Sequence, residues 1–188
     1  MLWIPLQAIT IQPVSDHIVI TVSSFDPVVV IDDMVGRLRR YNPSGPLKIM
    51  VDLRDNPGGY LHNALAFAAV FVTANVMVEV TRSQDVVAVT RPPEHPYVPT
   101  TALVILVNAR TASAAEAAAL VLAKHPNSVI LGEPTVGKRT IHRATNRPVD
   151  YDTFVMPQGR IIPHVPYTFT SHHDAYRIAL RLAGGHRP

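Results

Sequence analysis

The chain has 188 residues, of which 47% are hydrophobic and 16% charged, with a formal net charge of +3. That is enough apolar side chain for a folded core and too little charge for a disordered chain. The basic residues are scattered and form no stripe with interleaved aromatic residues, which argues against nucleic-acid binding. The chain contains no cysteine, which excludes disulfides, a cysteine nucleophile and thiolate zinc sites.

Metal, cofactor and membrane sites find no support in the sequence. The nine histidines show no His-Glu-x-x-His or similar ligand spacing. No apolar stretch is long enough to cross a bilayer, and the N-terminal residues have neither a basic start nor a small-residue cleavage site. We therefore expect one domain over residues 1–188, with no cofactor, metal, transmembrane segment or signal peptide.

The predicted elements alternate between strands and helices. In chain order they are a strand at 18–22, a helix at 27–40, a strand at 47–53, a helix at 60–72, strands at 76–81, 86–90 and 103–107, a helix at 113–124, a strand at 128–131, extended runs and turns over 139–166, and a closing helix at 173–183. Continuous apolar strands separated by helices predict an α/β core with right-handed crossovers and a sheet covered on both faces. Sites in such folds lie in the loops that follow the strands.

The first segment with chemical potential places Ser113 at the start of a predicted helix, directly after a buried strand. The first turn of a helix has unpaired N–H groups, which together with the helix dipole can stabilise an oxyanion. Ser113-x-x-Glu116 is also the pattern of a capping box, and the segment alone favours that structural interpretation.

Two further segments are each unremarkable in isolation. Residues 52–59 (DLRDNPGG) end a strand with paired glycines, which permit a tight turn and a close approach of backbone to a ligand. Residues 132–138 (GEPTVGK) begin like a phosphate-binding loop, but Arg139 replaces the required Ser or Thr and no helix follows. Alone, the first indicates an ordinary turn, and Lys138 a solvated surface group.

Together the three segments resemble the C-terminal processing proteases, also called tail-specific proteases. The matching residues are 52–59, 107–116 (VNARTASAAE) and 132–138, and Lys138 follows Ser113 by 25 residues, as in that family. The resemblance runs from about Ile18 to about His142. It implies a ClpP/crotonase-like core, with a mostly parallel sheet flanked by helices and a β-rich C-terminal segment.

The resemblance also implies a serine peptidase that uses a Ser–Lys dyad on a peptide or unfolded protein. Ser113 would attack the scissile carbonyl, and Lys138, neutral in a desolvated pocket, would act as general base. Such a lysine works as a base only where burial lowers its pKa. The oxyanion hole would use the N–H groups of Gly59, with Gly58 as the alternative, and Ala114. Glu116 would orient Lys138 or only cap the helix.

Three alternatives stay open. Many family members carry a glutamine four residues after the lysine, where this chain has His142. His142 can replace that glutamine, or serve Ser113 directly as a base in a Ser–His arrangement.

The family generally uses a PDZ domain to capture substrate tails, and none is detected in this sequence. A non-catalytic peptide- or ligand-binding module that retains the protease fold is therefore the alternative function. Members of the family are mostly exported proteins. The sequence does not predict an oligomeric state.

Overall fold

The structure is a computed structural model that describes residues 8–26, 31–42, 45–82, 85–91, 95–138, 140–144, 151–155 and 165–166, with His172, Ala175, Arg177 and Ile178. Within these residues the elements are β1 (Ile9–Val14), β2 (His17–Val22), α1 (Ile31–Tyr41), β3 (Leu47–Asp52), α2 (Leu61–Ala69), β4 (Val76–Arg82), β5 (Asp85–Thr90), β6 (Thr100–Val107), α3 (Ala114–Leu122), β7 (Ser128–Gly132), β8 (Thr140–Ala144), β9 (Tyr151–Val155) and β10 (Val165–Pro166).

The main sheet has six strands in the order β1-β2-β3-β6-β7-β10. β1 and β2 are antiparallel, and every other neighbouring pair is parallel. Helices connect β2 to β3 and β6 to β7, as parallel neighbours require. The predicted fold class, a mostly parallel sheet flanked by helices, is confirmed.

Among the described strands of the main sheet that precede residue 139, β1 alone was not predicted from the sequence. It pairs with β2 through a two-residue turn at Ser15 and Asp16, where Ser15 has a φ of 58°. Pro13 lies within β1, and proline cannot donate to a sheet ladder. Because β1 is an edge strand, its outer edge has no neighbouring strand to hydrogen-bond, and the proline is tolerated.

Side chains of the main sheet alternate between two apolar layers. The larger layer contains Ile20, Ile49 and Ile105 and packs against buried side chains of α1, α2 and α3. Eight of the nine α3 residues are buried, because alanine allows this helix to approach its neighbours closely on all sides. The opposite layer is smaller and includes Met50, which packs in one cluster with Ala175 of the C-terminal segment.

A second sheet has the order β5-β4-β9-β8 and is antiparallel throughout. It joins the β4–β5 hairpin to two strands of the predicted β-rich C-terminal segment. The predicted closing helix at 173–183 lies mostly outside the described residues, although His172, Ala175, Arg177 and Ile178 are helical. None of the helices described is long and apolar enough to cross a membrane.

Candidate active site

Three loops meet at the carboxyl edge of the main sheet. The glycine loop (residues 53–60) follows β3, the serine loop (108–113) follows β6, and the lysine loop (133–138) follows β7. β6 pairs with both β3 and β7, so the loops leave the sheet side by side. The structure therefore brings together the three segments that the sequence analysis singled out.

Buried polar groups tie these loops to one another. The Ala112 N–H donates to the Asn56 carbonyl at 3.0 Å, and the Thr111 hydroxyl donates to the Leu53 carbonyl at 2.8 Å. The Val136 N–H of the lysine loop donates to the Thr111 carbonyl at 3.1 Å. Asn56 and Thr111 are fully buried. Neither residue was predicted as part of the site, because a polar residue after a strand carries no sequence signal of its burial.

Ser113 has an unusual backbone conformation, with a φ of 57° and a ψ of −122°. A residue with a β-carbon in such a sparsely populated region stores about 1–3 kcal/mol of strain, which persists only where the surroundings enforce it. Strain of this kind is common where a nucleophilic serine is held on a sharp turn between a strand and a helix. Ser113 lies in such a turn between β6 and α3, and its side chain is partly exposed.

The paired glycines allow the glycine loop to approach the serine. Gly58 and Gly59 have φ values of 109° and 128°. A β-carbon on Gly58 would lie 2.8 Å from Ser113 Cβ and 3.0 Å from the Ala114 nitrogen, and one on Gly59 would overlap the Phe25 carbonyl carbon. Both positions therefore require glycine, on conformational and on steric grounds.

The two glycines differ in the state of their N–H groups. The Gly58 N–H donates to the Asn56 side-chain oxygen at 2.8 Å and is therefore occupied. This argues against Gly58 as the alternative oxyanion donor. Among the described residues, the N–H groups of Gly59 and Ala114 have no hydrogen-bond acceptor. Ala114 is the first residue of α3, where such a donor is expected to be free.

Glu116 is completely buried and its carboxylate accepts four hydrogen bonds. Its Oε2 accepts the N–H groups of Ser113 at 2.9 Å and Lys138 at 3.0 Å. Its Oε1 accepts the Gly137 N–H at 2.7 Å and the Thr135 hydroxyl at 2.5 Å. The bond from Ser113 is the glutamate arm of the predicted capping box. The other three join α3 to the lysine loop, so Glu116 is more than a helix cap.

The main-chain atoms of Lys138 lie close to those of Ser113 in space, but the Lys138 side chain is exposed. The main-chain nitrogens of the two residues share one oxygen of Glu116. No hydrogen bond joins Ser113 Oγ to Lys138 Nζ in the described structure. The Lys138 side chain is exposed in this structure, and its predicted place in a desolvated pocket stays a prediction.

The backbone of His142 lies in β8, where it pairs with Thr153 of β9. Its side chain lies outside the described residues, so its predicted role as a substitute for glutamine or as a base stays a prediction. It follows the lysine loop in the chain and lies in β8, an edge strand of the second sheet.

Asp52 and Arg54, two charged residues of the 52–59 segment, lie at the opposite face of the main sheet. Asp52 follows Met50 by two residues on β3, so its side chain points to the smaller apolar layer, away from α3. Arg54 Nη2 and His172 Nε2 each lie 2.7 Å from Asp52 Oδ2. Burial by itself raises the pKa of Asp52, but these hydrogen bonds and the charge of Arg54 outweigh it and lower the pKa to about 2. The cluster ties His172 to β3.

No group of three or more His, Asp or Glu side chains in the described parts of the chain could hold a metal ion. The chemistry that these parts offer is that of a hydroxyl, an amine and free N–H groups at one edge of the sheet.

Comparison with known proteins agrees with this arrangement. The model of "Peptidase family S41" matches residues 17–163. The chain is 29% identical over 111 residues to the tail-specific protease of Haemophilus influenzae, covering 59% of this chain and 16% of that protein. It is 26% identical over 150 residues to the carboxyl-terminal-processing protease of Picosynechococcus sp., covering 79% of this chain and 34% of that protein.

A solved structure, that of the photosystem II D1 C-terminal processing protease, has a similar fold. Its TM-score is 0.69 at 19% sequence identity, over 94% of this chain and 53% of the other. The chain spans about a third or less of the length of the two curated relatives. The family match covers most of the chain and all three loops of the site. On that match, the chain belongs to peptidase family S41.

Proposed function

We propose that residues 1–188 form a single catalytic core that hydrolyses peptide bonds with Ser113 as nucleophile and Lys138 as general base. The observation that carries this proposal is the shared contact with Glu116. One buried carboxylate oxygen accepts the N–H groups of both residues, at 2.9 and 3.0 Å, although they lie on different loops. Membership of a peptidase family supports the reaction class.

In the proposed reaction, Ser113 Oγ attacks the scissile carbonyl carbon while Lys138 Nζ accepts the hydroxyl proton. The carbonyl oxygen, now negative, accepts hydrogen bonds from the free N–H groups of Gly59 and Ala114. Such donors are already oriented before charge develops, which is why they stabilise the transition state strongly. The lysine ammonium then protonates the leaving amine, and a water molecule hydrolyses the acyl-enzyme with Lys138 again as base.

Glu116 is a positioning residue in this proposal. It holds the main chain of both Ser113 and Lys138, and it touches neither reacting side-chain atom. Its contacts with Thr135 and Gly137 fix the lysine loop against α3. Because α3 also supplies the Ala114 N–H, one carboxylate sets the relative positions of nucleophile, base and one oxyanion donor.

Lys138 must lose its contact with water before it can act as a base. Its side chain is exposed, whereas a lysine amine serves as a base only where burial disfavours its charged form. We propose that the bound peptide itself covers the amine and brings it to hydrogen-bond distance of Ser113 Oγ. Catalytic hydrogen bonds often tighten only when substrate binds.

The substrate that the site favours is an extended peptide or unfolded protein with apolar side chains near the cleaved bond. Tyr60 and Val136 are 49% and 47% exposed, and they lie on the glycine and lysine loops that flank Ser113. In the proposed complex, these two side chains would contact apolar side chains of the bound peptide. The names of the two curated relatives suggest cleavage near a protein's C-terminus.

The test is hydrolysis of casein, together with labelling by a fluorophosphonate that reacts with activated serines. We expect wild type to cleave and to be labelled at Ser113. Ser113→Ala should abolish both, and Lys138→Ala should abolish cleavage while the protein stays folded. Ser23→Ala and Lys124→Ala are the matched controls, because each changes an exposed residue of the same type. Cleavage that survives Lys138→Ala but not His142→Ala would replace the base with His142.

A non-catalytic peptide-binding module is the second candidate function. The exposure of Lys138 and the missing bond between its amine and Ser113 Oγ favour it. Such a module would bind casein as tightly after Ser113→Ala as before, and wild type would show neither hydrolysis nor labelling. Labelling of wild type at Ser113 that is lost in Lys138→Ala would contradict it.

A further inference from the structure

A small exposed cluster links the glycine loop to the serine loop outside the buried contacts described above. Asn108 and Asp55 form a reciprocal pair, in which the Asp55 N–H donates to Asn108 Oδ1 at 3.0 Å and Asn108 Nδ2 donates to Asp55 Oδ1 at 2.6 Å. Arg110 Nε donates to the same Asp55 oxygen at 2.7 Å. We call Asp55, Asn108 and Arg110 the interloop clasp.

The clasp joins the two segments that carry the free N–H groups of the site. Asp55 lies four residues before Gly59, and Arg110 lies four residues before Ala114. Deeper contacts hold the bases of both loops, through Asn56 and Thr111. The clasp closes the solvent side, where nothing else among the described residues connects Asp55 to the serine loop.

Asp55 also holds its own loop in a costly conformation. Its φ is 64°, a region that residues with a β-carbon seldom adopt and that Asp and Asn tolerate better than most. The hydrogen bond to Asn108 satisfies the N–H that this conformation turns toward the serine loop. Removing the Asp55 side chain would therefore free the loop to relax away from Ser113.

The energetics of the clasp suit positioning better than stability. The side chains of Asp55 and Arg110 are 57% and 75% exposed. Ion pairs with that exposure contribute little to the stability of a protein. The reason to maintain such a network at this place is the distance that it sets between the two loops.

We propose that Asp55 is a positioning residue that, through Asn108 and Arg110, sets the separation between the Gly59 and Ala114 N–H groups. This proposal rests on the proposed function, because it concerns the oxyanion hole of that reaction. In the described structure, Asp55 makes no hydrogen bond or ion pair with Ser113 or Lys138. Its effect should therefore appear in kcat and hardly in KM, since the oxyanion forms only in the transition state.

The experiment compares Asp55→Ala and the conservative Asp55→Asn with Asp16→Ala. Asp16 is a matched control because its side chain is 55% exposed and pairs with Lys48 at 2.6 Å, away from all three loops. We expect kcat for a chromogenic peptide to fall roughly tenfold in Asp55→Ala, with KM nearly unchanged, a smaller fall in Asp55→Asn, and none in Asp16→Ala. Asp55→Ala and Arg110→Ala combined should lose less than the product of their separate effects.

Hydrogen–deuterium exchange of residues 53–60 and 108–114 separates failure of this proposal from failure of the proposed function. We expect Asp55→Ala to speed exchange in both loops and Asp16→Ala in neither. Unchanged exchange, or a kcat equal to that of Asp16→Ala, would overturn the clasp. If wild type hydrolyses nothing, the proposed function fails and the oxyanion role of the clasp fails with it. The exchange data would then still decide whether Asp55 ties the loops together.

Discussion

Replacing Glu116 with glutamine should cost more stability than any other isosteric change at the site. The carboxylate is completely buried and accepts four hydrogen bonds, two at each oxygen. A glutamine keeps the shape but turns one oxygen into an NH2 group, which cannot accept. The least damaging orientation points that NH2 group toward Thr135, whose hydroxyl can rotate to accept. The Gly137 N–H is then left without an acceptor.

The magnitude follows from these contacts. Losing one hydrogen bond to a buried charge, while the other bonds become those of a neutral acceptor, costs about 4 kcal/mol in the free energy of unfolding. For a domain of this size that corresponds to a fall in Tm of roughly 12 °C. Activity should fall as well, because the main chains of Ser113 and Lys138 lose a common partner.

The measurement is urea unfolding followed by far-UV circular dichroism, with Glu133→Gln as the matched control. Glu133 is exposed and makes one long contact, from the Ala109 N–H at 3.4 Å. A surface change of that kind should alter stability by less than about 0.5 kcal/mol. If Glu116→Gln costs no more stability than its control, the four contacts do not hold the loops and Glu116 is not a positioning residue.

Two further predictions follow from the same geometry. Gly58→Ala should abolish fluorophosphonate labelling and lower the free energy of unfolding by about 1–3 kcal/mol, because the new Cβ would lie 2.8 Å from Ser113 Cβ at a φ of 109°; full labelling of the variant would contradict the close approach. Stability should also fall in acid: the pKa of Asp52 is lowered from 3.8 to about 2 in the folded chain, so its contribution is complete above pH 4 and is lost as the pH falls toward 2. Urea titrations at several pH values should show a loss of about 2 kcal/mol that Asp52→Asn removes.

Much of the fold could be predicted from the sequence, because its signals are local. β3 and β6 are continuous apolar runs, and α3 is a run of strong helix formers. β1 was missed because Pro13 breaks the local pattern, and only its place at the sheet edge makes the proline acceptable. The strand pairs β4–β5 and β8–β9 were predicted as extended sequence, but their union in one sheet depends on contacts between distant segments.

The candidate residues of the site could be named from the sequence, but their geometry could not. The order and spacing of the three motifs predicted Ser113, Lys138, Glu116 and the glycines as candidates, and these assignments stay predictions. The choice between Gly58 and Gly59 needed the hydrogen bond from Gly58 to Asn56, which exists only in the folded turn. The segment alone predicted an exposed Lys138 and the family resemblance a desolvated one. Sequence could not decide between them, since burial depends on which distant residues cover a side chain.

The sequence by itself determined the parallel core, the family resemblance and the candidate nucleophile and base, because residue type, spacing and hydrophobic pattern are properties of the chain. Only the tertiary structure decided what those residues do to one another. The strain at Ser113, the shared carboxylate of Glu116 and the interloop clasp all depend on groups far apart in sequence. The positions of Ser113 and Glu116 are set by packing and by the need of buried polar groups to find partners, and those of the clasp by the loops that carry it; none of this is encoded in a single segment.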